Sequence, residues 1–382
     1  NLTSGNVDEV IQRRLLDKNE EGLSRLQPVY EAEQNNFKTL FHFSEGGTAY
    51  RGYESDTHFL RTYPFLPYQF SLFQECIRGL SVQNAFQGKH QSVGERSMLG
   101  VFQDVVKSMI ANGMPVPQIA SFDRMYDGIQ GSLLGEIQSA VQKAEKNLVD
   151  DPFQVRVLKA LFLVKFVKSF RPTLKHIAIL LIEDFQVDLH QHEKRVQEAL
   201  NRLEYETYIQ RNGEEYEYLT NIEKDIENEI KHTPIDTTEV NEMLAQVLYK
   251  DVFRDTKIRY QDNQQDYSFA RKLDGTLIGR DAELSLNIIS PQHEHFGAPA
   301  ILKSHTMATK ELVALLPVDD RLLKDIRMYK QVDKYFRQNT SNQLKEEVHQ
   351  ILQRKKASND QLYKSLIARA ERMLGKATLI LN

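Results

Sequence analysis

The 382-residue sequence predicts a mainly helical fold, with a three-helix-and-hairpin module in the middle and a small α+β domain at the C-terminal end. Three observations predict it. Apolar residues recur at helical spacing over most of residues 1–147. Between about Asp151 and Lys231, three helical stretches precede two short strand-like stretches around an Asn-Gly turn. From about Lys257 the pattern changes to short alternating runs, and from Asp319 it returns to helical spacing.

In chain order, Val7 to Leu16 places Val7, Val10, Ile11 and Leu15 on one helical face, and a second helix starts near Glu21. Phe41 to Thr62 contains Gly and Ser and reads as irregular. Pro67 suits the first position of a helix over Tyr68–Leu80, because its missing N–H is one that a first turn leaves unbonded anyway. A loop with Gly88, Lys89 and His90 leads into Ser92–Phe102 and a long helix ending near Ala111, where Gly113, Pro115 and Pro117 stop it. One more helical run follows. Asp150-Asp151-Pro152 then reads as a boundary, giving a first, helical domain over 1–147.

The middle module opens with the apolar helix Val155–Val167 and Arg171-Pro172-Thr173. Helices over Leu174–Asp184 and His190–Leu203 follow, then a strand Tyr205–Ile209, the turn Gln210–Gly213, and a strand Glu214–Leu219. That order is the order of a winged helix-turn-helix domain, which docks on duplex DNA or on another protein. In its third helix Leu189, Val196, Leu200 and Leu203 point inward, leaving Gln191, Lys194, Arg195, Glu198, Asn201 and Arg202 outward. Arg211 and Asn212 stand at the wing tip. Gln191, Lys194, Arg195, Asn201, Arg202, Arg211 and Asn212 are therefore the candidate DNA contacts, being types that reach phosphates and base edges. Glu193, Glu198, Glu214, Glu215 and Glu217 would repel phosphates, so a protein-docking use is weighed slightly above duplex DNA. Thr220 with Glu223 fits a capping box, Pro234 breaks the run, and a helix over Thr237–Tyr249 completes a domain over 148–250.

The last domain, 251–382, carries Asp274-Gly275 as a hairpin turn, Glu283–Ile289 as a strand and Leu312–Pro317 as a buried strand. Helical spacing then runs from Asp319 to about Leu374, where Gly375 ends it.

Composition excludes several classes. Charges nearly balance at a formal net of −4, whereas a free-standing nucleic-acid binder is usually clearly basic. The single Cys76 rules out an internal disulfide and suits a reducing cytoplasm. No apolar run approaches the ~18–20 residues that span a bilayer, and no signal-peptide pattern opens the chain, so no membrane partner is expected. Starting at Asn1 without Met, the chain reads as a piece of a larger protein.

No phosphate-binding loop of the GxxxxGK[ST] kind and no GxSxG elbow occurs, so no catalytic residue, cofactor or metal is expected in this chain by itself. His293-Glu294-His295 offers two ligand types without a third and reads as a polar loop. Gly94-Glu95-Arg96-Ser97 sets an Arg where a helix starts, a place where anions collect, although pairing with a neighbouring carboxylate is the simpler reading. Arg354-Lys355-Lys356 reads as solvated surface.

Four segments together carry a resemblance: Val10–Lys18, Tyr63–Gln69, Gly94–Gln103 and Tyr218–Lys224. They resemble the central part of the large P-loop ATPase of BREX phage-defence systems, the BrxC/PglY type. The resemblance implies an AAA+-like core upstream of Asn1 that binds ATP and Mg, with residues 1–147 as its helical lid. It implies a nucleotide-sensing role for Arg96, with Arg13 and Arg14 as weaker candidates. It also implies duplex DNA or other BREX proteins as partners, a homo-oligomer at full length, and a coupling job between nucleotide state and those partners. Two alternatives are a protein-interaction scaffold without DNA binding and a winged-helix DNA-binding regulator.

Overall fold

The computed structural model describes residues 7–43, 50–88, 95–307, 309–339 and 346–381, and the chain divides into two compact units, Asn1–Lys224 and Asp225–Asn382. The first unit is helical. It runs through α1 (Val7–Arg14), α2 (Glu20–Leu40), α3 (Asp56–Thr62), α4 (Pro67–Val82), α5 (Glu95–Ala111), α6 (Arg124–Ile129), a 3-10 turn (Gln130–Ser132) and α7 (Gly135–Asn147). Then come α8 (Pro152–Val164), α9 (Leu174–Leu180), α10 (Leu189–Tyr205) and a hairpin of β1 (Ile209–Asn212) and β2 (Glu215–Tyr218). The division between the units falls within α11 (Asn221–Lys231).

Polar caps set the helix starts, because a side-chain oxygen satisfies N–H groups that the first turn leaves without partners. Asn19 accepts from Gly22 N at 2.8 Å, Asp151 from Phe153 N at 3.1 Å, and Asp188 from Gln191 N at 3.1 Å. Ser55 does the same for α3, accepting from His58 N at 3.1 Å, so 56–62 is helical where irregular chain was expected. Pro67 stands in the first turn of α4 as expected. α9 stops at Leu180, four residues before the expected end at Asp184, and Phe122 N donates to its last carbonyl at 2.7 Å. α10 runs on to Tyr205, so β1 starts later than the sequence suggests. Asn212 pairs with Glu215, leaving Gly213, at φ +65, and Glu214 as the turn.

One aromatic core holds this unit together. Phe37 of α2 stacks on Phe59 of α3 and meets Phe185, which follows α9, edge-on at 4.8 Å between ring centres. Phe70 of α4 lies flat against Phe102 of α5 at 4.8 Å. The buried cluster is continuous from Ile11 to Tyr218. The early helices and the α8–α10 module therefore share one interior.

The second unit contains α12 (Thr237–Gln246), a π-helical extension (Val247–Val252) and six strands. These are β3 (Lys257–Arg259), β4 (Asp266–Leu273), β5 (Thr276–Ile278), β6 (Leu284–Ile289), β7 (Glu311–Leu315) and β8 (Thr378–Ile380). Helix α13 (Pro299–Met307) precedes β7, and α14 (Leu322–Gln338) and α15 (Glu346–Leu374) precede β8. The sheet order is β3-β4-β6-β7-β8, with β5 also on β4; β4, β6 and β7 run parallel to one another and the other pairings are antiparallel.

Leu273, Ile288, Ala314 and Leu316 form the side of the sheet that packs on Val240, Leu322, Ile326, Leu366 and Ala370 of the helices. Asp274 and Gly275, both at positive φ, make the expected turn between β4 and β5. Arg271 of β4 closes the end of the π-helical extension: its guanidinium donates to the carbonyls of Tyr249 at 2.9 Å, Arg254 at 2.6 Å and Asp255 at 2.7 Å. The Tyr249 carbonyl is one of the acceptors that a helix end leaves unbonded, and those of Arg254 and Asp255 belong to the segment that follows.

Candidate functional site

The outward ridge of α10 is the candidate docking face. Gln191, Lys194, Arg195, Glu198, Asn201, Arg202 and Tyr205 are exposed along it, while Val196, Ala199, Leu200 and Leu203 are buried beneath. The 3.6-residue period of an amphipathic helix produces this division. Three of these polar side chains already have partners in the chain. Arg195 lies over the Phe153 ring at 4.1 Å and 3.7 Å from Asp151. Arg202 pairs with Glu206 at 2.9 Å, and Asn201 accepts from Gln197 at 2.8 Å.

At the hairpin, Arg211 Nε donates to Gly213 O at 2.7 Å and its guanidinium sits over Tyr216. Asn212 donates to Glu217 at 3.4 Å. Tyr205, which the sequence suggested as the start of a strand, ends the ridge and is 78% exposed. Its placement depends on α10 continuing two residues beyond the expected end.

A buried ammonium anchors the hairpin. Lys165, at the end of α8, is 1% exposed in its side chain and donates to Tyr218 O at 2.6 Å, Glu223 at 2.8 Å and Glu217 at 3.1 Å. Glu223 also accepts from Thr220 N at 2.8 Å, and Thr220 accepts from Glu223 N at 3.3 Å, which is the expected capping box. A second network ties α8 to the segment before α6. Arg156 donates to Asp123 at 2.9 Å, Glu183 at 2.9 Å and Ser121 at 2.9 Å, and Arg124 to Glu183 at 2.6 Å. Burial pulls the Glu183 carboxyl upward, but Arg156 and Arg124 outweigh it and hold its pKa below the usual range. Neither Lys165 nor Arg156 was singled out by the sequence, because their partners lie 27–58 positions away.

Two of the three sensor candidates have described side chains. Arg13 pairs with Glu9 at 2.6 Å on the exposed side of α1, where Arg14 is exposed too. Arg96 lies in the first turn of α5, and its side chain is outside the described residues, as is Gly94. Among the described residues no three His, Cys, Asp or Glu stand together so as to hold a metal ion. The His295 ring neighbours those of His293 and His305, and His293 Nδ1 accepts from His295 N at 3.1 Å. No helix among the described residues is long and apolar enough to cross a membrane.

Residues 233–382 match the family model described as the fourth domain, with six-stranded beta sheet, of the BREX ATP-binding protein BrxC. The sheet of the second unit has six strands. Over residues 233–382 the chain is similar to the fourth domain of a BrxC-type BREX protein. The family associates it with the ATPase of a defence system, and the BrxC resemblance of the four sequence segments agrees with the match. No solved structure matches the chain.

Proposed function

We propose that this part of a BrxC-type protein is a non-catalytic coupling piece of a phage-defence ATPase, and that α8–α10 with the β1–β2 hairpin is a winged helix docking on another BREX protein. The observation that carries the docking reading is the α10 ridge. Its arginines are engaged within the chain, Glu198 sits in its middle, Glu214, Glu215 and Glu217 line the adjacent hairpin, and exposed Tyr205 ends it. Large aromatic and Arg side chains dominate protein interfaces, whereas clustered carboxylates oppose a phosphate backbone. ATP and Mg belong to the ATP-binding part of such a protein, and residues 1–147 act as a lid that passes its state, Arg96 included, to the docking face. The working assembly is a homo-oligomer in the cytoplasm.

Duplex DNA on the same ridge is the second reading, favoured by Gln191, Lys194, Arg195, Asn201, Arg202, Arg211 and Asn212. Surface ion pairs such as Arg202–Glu206 are worth only about 0–1 kcal/mol, so a phosphate could displace them. Fluorescence anisotropy against a labelled random-sequence duplex at several salt concentrations separates the two. The docking reading expects no salt-dependent binding, together with co-purification of a co-expressed BREX protein that Tyr205→Ala weakens about tenfold or more, a typical hot-spot loss. Binding that falls steeply with salt and disappears when Lys194, Arg195 and Arg202 are replaced by Ala would transfer the site to DNA.

A further inference from the structure

A second surface, on the other unit, is built for a partner. Every residue from Arg254 to Ser268 is exposed, yet the segment is an ordered hairpin. Tyr260 N donates to Gln265 O and Gln264 N to Tyr260 O, each at 2.9 Å; Asn263 donates to the Tyr267 hydroxyl at 2.8 Å and Arg259 Nε to Gln264 at 3.2 Å. Ile258, Tyr260 and Tyr267 lie on one side of this ribbon, 60%, 52% and 38% exposed. A two-stranded ribbon with an apolar side in water is marginal by itself.

The backbone register says which groups are available. Phe269 N donates to Thr256 O and Tyr260 N to Gln265 O, so residues 256, 258 and 260 bond inward to β4. By the alternation of an antiparallel pair, the N–H and C=O groups of Lys257 and Arg259 point to the other edge, where no strand pairs among the described residues. Along Thr256–Gln261 the edge strand carries two cations and no carboxylate. A second copy is a poor occupant, since antiparallel pairing about Ile258 would set Lys257 against the partner's arginine, and like charges opposite one another destabilise a sheet. The same two cations suit an acidic strand, whose intervening apolar side chains would cover Ile258 and Tyr260.

We propose that the free edge of β3 is a strand-addition site for an extended segment of another protein in which acidic and apolar residues alternate. Main-chain bonds to Lys257 and Arg259 would supply affinity, and the charge and apolar alternation would supply register. This inference does not depend on the reading of α10, because the site lies wholly within Asp225–Asn382.

The test uses the full chain and fluorescein-labelled, capped octapeptides of alternating glutamate–valine and lysine–valine, followed by anisotropy. Saturable binding of the glutamate peptide only is expected. Lys257→Glu with Arg259→Glu should weaken it at least tenfold and admit the lysine peptide. Arg259→Pro removes an outward N–H, which an edge strand tolerates, and should abolish binding of the glutamate peptide. Circular dichroism should leave both variants as folded as the parent, since the positions are exposed. Absence of binding to the parent chain overturns the proposal. So does binding that Arg259→Pro leaves within twofold, which would be a charge contact without strand addition.

Discussion

Lys165 shows how one side chain can decide the position of a hairpin. Its ammonium is buried against Glu217, Glu223 and the Tyr218 carbonyl, so it joins α8 to β2 and to the first turn of α11. Removing one partner of a buried charge cluster strands the others, at about 3–5 kcal/mol. Lys165→Met should therefore lower stability by roughly that amount in urea unfolding, whereas Lys194→Ala on the exposed ridge should change it by less than about 0.5 kcal/mol. Equal effects would show that Lys165 is dispensable. Lys18 is the opposite case. It donates to Tyr63 O at 2.7 Å, and burial pushes its pKa down to about 8 from 10.5. Between those values the unfolded chain binds more protons than the folded one, so stability rises with pH. The melting temperature should climb between about pH 8 and pH 9.5, below the range where the buried tyrosines titrate, and Lys18→Met should flatten the climb. A parent curve that falls over that window would refute the assignment.

Elements were legible in the sequence wherever their signal is local. Pro67 at the start of α4, Thr220 with Glu223 at the start of α11 and Asp274-Gly275 between β4 and β5 all do what their chemistry suggests, while α15 ends before Gly375 without that glycine taking a positive φ. The misses have tertiary causes. α3 depends on the Ser55 cap and on Phe59 entering the aromatic core; α9 ends early because Leu180 O accepts from Phe122 N, fifty-eight positions upstream. The parallel pairing of β4, β6 and β7, the helix α13 and the short strands β3 and β8 left no periodicity long enough to read. Gly79 of α4 marks a contact of the same hidden kind. A Cβ there would lie 2.8 Å from Phe166 O and 2.9 Å from Phe166 Cβ, too close without backbone movement. Gly79→Ala should cost about 1–3 kcal/mol, in place of the gain of up to ~1 kcal/mol that alanine brings to an open helix position. A stabilised variant would show that α4 does not approach Phe166 so closely.

At the scale of the whole chain, two units with separate interiors predict separable unfolding. Urea titration should resolve two transitions, with Lys165→Met moving only one of them and Arg271→Ala, which uncovers the carbonyls of Tyr249, Arg254 and Asp255, moving only the other. A single transition displaced by either substitution would mean that the units unfold together. Short-range chemistry made the helical class, many helix starts, a hairpin near Gly213, the missing phosphate loop and the BrxC resemblance legible in the sequence, because caps, turns and motifs are local. Tertiary contacts set the core that the early helices and the α8–α10 module share, the engaged arginines of α10, and the edge of the six-stranded sheet that no strand pairs among the described residues. Those features rest on contacts between residues far apart in the chain, which no local pattern encodes.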